Sequence, residues 1–358
     1  MTTERRDALV QRLFETSIGT MELGSVYLGL RLGLFEALAR LGGATSKELA
    51  AATRTDERYV REWLEQQAVA GILEASADAE ATKRRFTLPA GHDEVLLDAN
   101  SLSCFAPVVR MVIGALPMTS QLLSAFKSGE GIAWSAYGAD VIEGQAGQNR
   151  AAFLNLLGQE WLPSIPDVHA RLLAAPTARV ADIACGGGWS SIGIARAYPA
   201  ARVDGFDLDE SSIVLANENV KAAGLTDRVT MAVRDAGDPA LSGRYDLVTI
   251  FESLHDMSRP VEVLTKARTL LAPGGSVLVM DERVAEQFTA PGDAVERLMY
   301  GFSVLCCLPV GLADRPSAAT GTVMRPATLQ RYASDAGFTR VEILPIQNDI
   351  FRFYRLRP

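Results

Sequence analysis

A chain of 358 residues, 48% of them apolar, is long enough for two ordinary domains with a sizeable core, which excludes a disordered chain. Its formal charge of −8 argues against nucleic-acid and anionic-membrane partners, which rely on clustered Lys and Arg, and favours a small molecule. Cys104, Cys185, Cys306 and Cys307 follow no CxxC or metal spacing, and vicinal Cys306 and Cys307 cannot form an unstrained disulfide. All four read as small buried hydrophobes of a reducing cytoplasm.

The first residues, M-T-T-E-R-R-D-A, lack the apolar core of a signal peptide. The longest apolar run, Phe302 to Ala313, is too short for a bilayer span and carries Pro309, so the expectation is a soluble, cytoplasmic protein. From Met1 to about Leu41 apolar residues recur at helical spacing, as in Leu28, Leu32, Phe35 and Leu38, and the helix ends at Gly42-Gly43. Thr45 with Glu48 makes a capping box for a short helix through Ala52. Another helix starts at Thr55 and places Tyr59, Val60, Trp63, Leu64 and Ala68 on one face. Ile72-Leu73-Glu74 and Arg85-Phe86-Thr87-Leu88 then read as two short strands. Helices followed by a strand pair suggest a winged helix over residues 1–98. Its would-be recognition helix carries Asp56, Glu57, Glu62 and Glu65 against Arg58 and Arg61, a face that DNA repels, so dimerisation or closure of a substrate site is the better use. Residues 99–171 are helical but punctuated by Pro107, Pro117, Pro163 and Pro166, and read as a connector.

From residue 172 the pattern becomes α/β. Val180, Ala181, Ile183 and Ala184 form a buried strand holding one acid, Asp182, which ends at Gly186-Gly187-Gly188. Ser190 and Ser191 can cap the helix that follows, which Ile192, Ile194 and Ala195 continue. Glycines let a backbone approach a ligand, and a helix start offers free N–H groups, so this turn suits a nucleotide. Further strands follow at Arg202–Phe206, Arg228–Arg234, Tyr245–Phe251 and Ser276–Met280, ending near Asp207, Asp235, Glu252 and Asp281-Glu282, with two late strands near Arg340–Leu344 and Phe351–Leu356. In an open parallel sheet the ligand sits outside the carboxyl ends of the strands, where these acids fall. Asp207 follows Gly186 by about 20 positions, the offset at which an acid meets ribose hydroxyls. A dinucleotide loop needs a third glycine where Ser191 stands, which weakens an NAD-dependent oxidoreductase.

The set Asp182-x-Ala184-x-Gly186-x-Gly188, Asp207, Asp235 and L-L-A-P-G-G-S-V-L-V resembles the class I S-adenosylmethionine (AdoMet) methyltransferases over residues 172–358. The segments E-R-Y-V-R-E-W-L-E-Q-Q-A-V-A-G-I-L and F-S-V-L-C-C-L-P-V resemble the bacterial small-molecule type with an N-terminal winged helix. The resemblance implies a doubly wound Rossmann-like domain, a homodimer, AdoMet as cofactor and S-adenosylhomocysteine as product. It gives the methionine portion to Asp182 and to the backbone of Gly186, Gly187 and Gly188, the ribose to Asp207 beside Leu208, and the adenine amino group to Asp235, with Ala236 and Phe251 along the ring. Ala184 stands where the family has glycine, and the turn survives if its φ is negative.

Of His92, His169 and His255, only His255 follows a sheet strand at its carboxyl end. The run S-L-H-D-M-S-R-P resembles the H-D-W segment of O-methyltransferases, which implies His255 as the base that removes the acceptor's proton; Met257 replaces the tryptophan. A neutral imidazole near its ordinary pKa suits that role, with Glu252 or Asp281 to orient it. Trp134, Tyr137, Met299, Tyr300 and Phe302 are candidates to line an aromatic acceptor pocket. The expectation is methyl transfer to a small molecule, most simply at oxygen, without a metal, membrane or nucleic acid. The competing classes are an AdoMet-sensing or DNA-binding regulator without turnover and an NAD-dependent oxidoreductase.

Overall fold

The computed structural model describes residues 2–174 and 177–358. They divide into two compact units, Met1–Ile113 and Gly114–Pro358. The unit holding the large sheet thus begins inside the stretch assigned above to a connector.

In the first unit, α1 (Thr2–Arg31), α2 (Leu34–Leu41), α3 (Ser46–Thr53) and α4 (Glu57–Val69) precede the antiparallel pair β1 (Glu74–Ala75) and β2 (Phe86–Thr87). The capping box forms as expected: Thr45 Oγ1 accepts from Glu48 N, and Glu48 Oε2 accepts from Thr45 N at 2.8 Å. Two sequence expectations are corrected. α4 starts at Glu57 and not at Thr55, capped by Asp56, which accepts from the N–H groups of Arg58 and Tyr59. Tyr59 is 81% exposed, because the buried stripe runs Val60, Trp63, Leu64 and Gln67 at i, i+3, i+4 and i+7, and Tyr59 lies off it. Trp63 meets Phe35 edge to face with centroids 4.9 Å apart, and its Nε1 donates to Ser25 O, which ties α4 to α2 and α1. The acids of α4 also take up the basic side chains: Arg58 pairs with Glu62, Arg61 with Glu57, and Arg84 of the wing with Glu65.

In the second unit β3 (Arg179–Ile183), β4 (Arg202–Asp207), β5 (Val229–Val233), β6 (Tyr245–Phe251), β7 (Leu271–Glu282), β8 (Arg340–Ile343) and β9 (Phe351–Arg357) form one sheet in the order β5-β4-β3-β6-β7-β9-β8. β3 to β7 are parallel, and β9 runs antiparallel to both of its neighbours. Both faces are covered, as continuous apolar strands require. Val180 of β3 joins a core with Ile192, Ile194, Trp161 and Phe353, while Ala181 and Ile183 join a second with Val263, Leu264 and Leu329. Helical segments before the sheet belong to the first of these cores, through Phe153, Leu157, Leu162 and Leu172. The strand order reverses between β3 and β6, and at such a switch point the connections leave to opposite faces and open a crevice.

Two helical stretches, Ala106–Ser128 and Ala294–Gly311, are apolar and long enough for a membrane crossing by length and composition, longer than the run read from sequence. The first is interrupted by a tight turn at Leu116–Met118 and the second by a wide-turn segment at Ser303–Cys307.

Candidate active site

The loop after β3 carries three residues in the left-handed region, Ala184 (φ 54°), Gly186 (φ 50°) and Gly188 (φ 78°). Ala184 therefore does not keep the negative φ expected of it. For a residue with a Cβ this conformation costs about 1–2 kcal/mol. It is held by the bonds around it, from Cys185 N to Phe206 O at 3.1 Å and from Gly186 N to Asp207 Oδ2 at 2.9 Å. A Cβ on Gly188 would come 2.8 Å from Met231 Cε, whereas one on Gly186 would meet nothing within 4 Å. The loop is thus packed on one side and open on the other, where backbone can meet a ligand.

Asp182 lies 1% exposed inside β3. Its Oδ2 accepts from the hydroxyls of Ser190 and Ser191 and its Oδ1 from that of Thr249, each at 2.6 Å. Ser190 and Ser191 are consequently not caps; Gly188 occupies the N-cap position of the helix Trp189–Ala197. Burial raises the pKa of Asp182, and the three hydroxyls oppose that shift. The carboxylate joins β3, the helix and β6 beneath the loop.

Asp207 ends β4, and each of its oxygens accepts one backbone N–H, from Gly186 and from Asp209 at 2.9 Å, leaving lone pairs for further donors. Burial raises its pKa. Leu208 beside it is 65% exposed. Beyond β5, Asp235 accepts from Gly237 N at 2.7 Å and stands 3.7 Å from Arg259, while Ala236 packs against the second core. Phe251, at the end of β6, is stacked on Phe153 with centroids 5.6 Å apart.

A short turn, Leu254–Asp256, follows β6 and carries His255, which is 2% exposed. Its Nδ1 lies 2.9 Å from Asp281 Oδ1 and 3.1 Å from Glu282 Oε2, at the end of β7. Burial works against the imidazolium, but the charges of Glu282 and Asp281 outweigh it and raise the pKa well above 6.5, so the ring does not keep its ordinary value. Of the two partners considered, Asp281 holds the ring. Glu252, itself in the left-handed region (φ 53°), accepts from Gln148 Nε2 at 2.9 Å and from Asn149 Nδ2. Burial and the charge of Glu282 push its pKa up to about 8.

The other histidines are structural. His92 Nδ1 meets Ile72 O and His169 Nδ1 meets Tyr198 Oη, at 2.9 and 2.8 Å. Glu282, Asp256 and Cys307 join the His255 cluster without having been assigned a role from sequence; burial pushes Asp256 to about 8. The H-D dipeptide pointed to Asp256, but nothing local marks Cys307, which arrives on the segment Ser303–Cys307. Tyr137 donates to Leu305 O of that segment at 2.8 Å, with Trp134 at 6.2 Å from its ring. Met299 is buried, and Tyr300, 39% exposed, meets Arg325 at 3.3 Å.

A glycine loop at the switch point of a parallel sheet, with acids at successive strand ends, defines a doubly wound nucleotide-binding domain. The Methyltransferase domain family matches residues 175–307, and the Rv2258c-like winged HTH domain matches residues 23–97. The chain is 30% identical over 179 residues to a ubiquinone biosynthesis O-methyltransferase of Aromatoleum aromaticum, across 50% of this chain and 71% of the relative. The mitomycin 7-O-methyltransferase MmcR shares the fold with a TM-score of 0.69 and 20% identity, over 99% of this chain and 100% of that one. Human N-acetylserotonin methyltransferase in complex with SAM does so with a TM-score of 0.71 and 16% identity, over 98% and 97%. The chain belongs to the class I AdoMet-dependent methyltransferases and carries an N-terminal winged-helix domain. It is an enzyme that takes AdoMet as methyl donor.

Proposed function

We propose that the protein methylates an oxygen of a small-molecule acceptor, with His255 as general base. The observation that carries this reading is the His255–Asp281 pair, 2.9 Å apart, with His255 on the turn after β6 and Asp281 near the end of β7. A carboxylate on one ring nitrogen fixes the tautomer and, in the neutral form that the raised pKa reserves for higher pH, presents the other to a hydroxyl. The ubiquinone biosynthesis relative and MmcR are both named O-methyltransferases, which favours oxygen.

The residues at the strand ends fit the donor. The backbone of Gly186–Gly188 and the helix start at Trp189 would hold the methionine portion, since Asp182 has both oxygens engaged. Asp207 has lone pairs for the ribose hydroxyls beside Leu208, and Asp235, Ala236 and Phe251 would frame the adenine. When bound, AdoMet supplies an electrophilic methyl group on a sulfonium, so the protein's own task is to align the acceptor, exclude water and take one proton. Trp134 and Tyr137 would bound the acceptor side. We further infer a cytoplasmic homodimer with no nucleic-acid or membrane partner; the pairing of Arg58 and Arg61 with acids of their own helix supports the first exclusion.

Screening hydroxyl acceptors with labelled AdoMet identifies the substrate, and single-turnover transfer by His255→Ala tests the base. The variant should lose about 10²- to 10⁴-fold in rate. Its affinity for AdoMet should stay nearly unchanged. A variant as fast as the parent on a neutral hydroxyl would remove His255 from the chemistry.

A further inference from the structure

We propose that His255, Asp256 and Cys307 form a binding site for a soft divalent cation of the zinc class. One ligand atom from each lies within 4.8 Å of the others, a spread that small side-chain movements can close to tetrahedral coordination. One nitrogen, one oxygen and one sulfur make a zinc-type set of three protein ligands with a position left open.

The surroundings supply the outer shell such sites use. A metal-bound imidazole almost always gives its other nitrogen to a carboxylate, and here Nδ1 lies on Asp281 at 2.9 Å with Glu282 at 3.1 Å, leaving Nε2 for an ion. An independent observation points the same way. Asp281 Oδ2 is buried without a hydrogen-bond partner, in a residue that is 1% exposed. Buried carboxylates are normally paired or bound to metal, and within this cluster His255 is the one side chain able to carry positive charge. Asp256 and Cys307 are half-buried while His255 is buried, which provides a route of entry.

The site shares its imidazole with the proposed base. An ion on Nε2 occupies the lone pair that would take the acceptor's proton, so cation loading and proton acceptance exclude each other. Metal occupancy would then hold the transferase inactive until a chelator or competing ligand removed the ion.

The test is titration of the whole reduced protein with Co²⁺, reading the near-ultraviolet sulfur-to-cobalt charge-transfer band. The band should saturate at a single equivalent and vanish on adding Zn²⁺. Cys307→Ser should lack it, and Asp281→Asn, which removes only the outer carboxylate, should weaken cation affinity about 10- to 100-fold. Competition against a chromophoric chelator on the unaltered protein gives the stoichiometry without any variant. No band in the parent, a band surviving Cys307→Ser, or cobalt held without a sulfur band would each overturn the site. AdoMet binding and the His255→Ala transfer rate are measured separately, so loss of the metal site leaves the base reading standing, and the reverse.

Discussion

At the scale of single residues, Asp182 makes the clearest case for a buried carboxylate that joins neighbouring elements beneath the glycine loop. Its two oxygens receive three hydroxyls from two elements, the helix Trp189–Ala197 and β6, and almost none of it reaches solvent. Asp182→Asn keeps the shape but turns one acceptor into a donor facing hydroxyls, which should cost about 1–3 kcal/mol. Thermal unfolding should show that loss together with weaker AdoMet binding. A variant that loses affinity with an unchanged midpoint would make Asp182 a direct ligand contact instead. The position of Asp182 was legible because a lone acid in an apolar strand before glycines is unusual. Its partners were not, because Ser190 and Ser191 sit where a helix cap is equally reasonable, and Thr249 is brought across only by the register of β3 with β6. Cys307 escaped for a stronger reason: its neighbours His255 and Asp256 are far away in the chain, and no spacing rule reaches that distance.

At the scale of elements, strands were readable where burial is continuous. Tyr245–Phe251 matches β6 in full, and β4, β5, β8 and β9 differ from expectation by a residue or so at their ends. β7 runs longer than expected, to Glu282, because β9 pairs with it through Asp281 and Glu282, and pairing cannot be seen in one segment alone. The first helix shows the opposite failure. Leu28 and Leu32 continue the apolar pattern of Phe35 and Leu38, yet they are 51% and 50% exposed, because the helix breaks at Leu32-Gly33 and the stripe changes direction. Along α1, Val10, Phe14, Ile18 and Met21 are exposed too, at spacings of three and four. An apolar stripe of that length is expected to be covered in solution by a second copy. Phe14→Glu combined with Ile18→Glu should shift sedimentation from dimer to monomer, and a parent that sediments as a monomer would remove the dimer.

At the scale of the whole molecule, the sheet unit gathers acids whose folded pKa values lie above their unfolded ones. Burial raises Asp182, and burial together with Glu282 carries Glu252 to about 8. For an acid raised in this way the folded state binds more protons than the unfolded chain, so its contribution is complete below the unfolded value and is lost as pH rises through the folded one. Asp167 has the other sign: its bond to Arg355 lowers it to about 2, so what it contributes is lost only in acid, below the usual carboxylate range. Scanning calorimetry should therefore give a higher midpoint at about pH 6 than at about pH 9, with part of the loss falling near pH 8. A midpoint that climbs over that interval would mean these acids are ionised in the folded protein.

The bonds around Ala184 have a kinetic consequence. A turn held at positive φ by hydrogen bonds from the two N–H groups that follow it, over a carboxylate that clamps the next helix, has few other conformations to visit when the nucleotide leaves. The loop would then meet its ligand already shaped, and association would need no slow ordering step. Amide exchange at Cys185, Gly186 and Ile192, whose N–H groups are bonded within the protein, should be slow without AdoMet and change little when it is added. Rapid exchange that AdoMet suppresses would show instead that the ligand builds its own cradle.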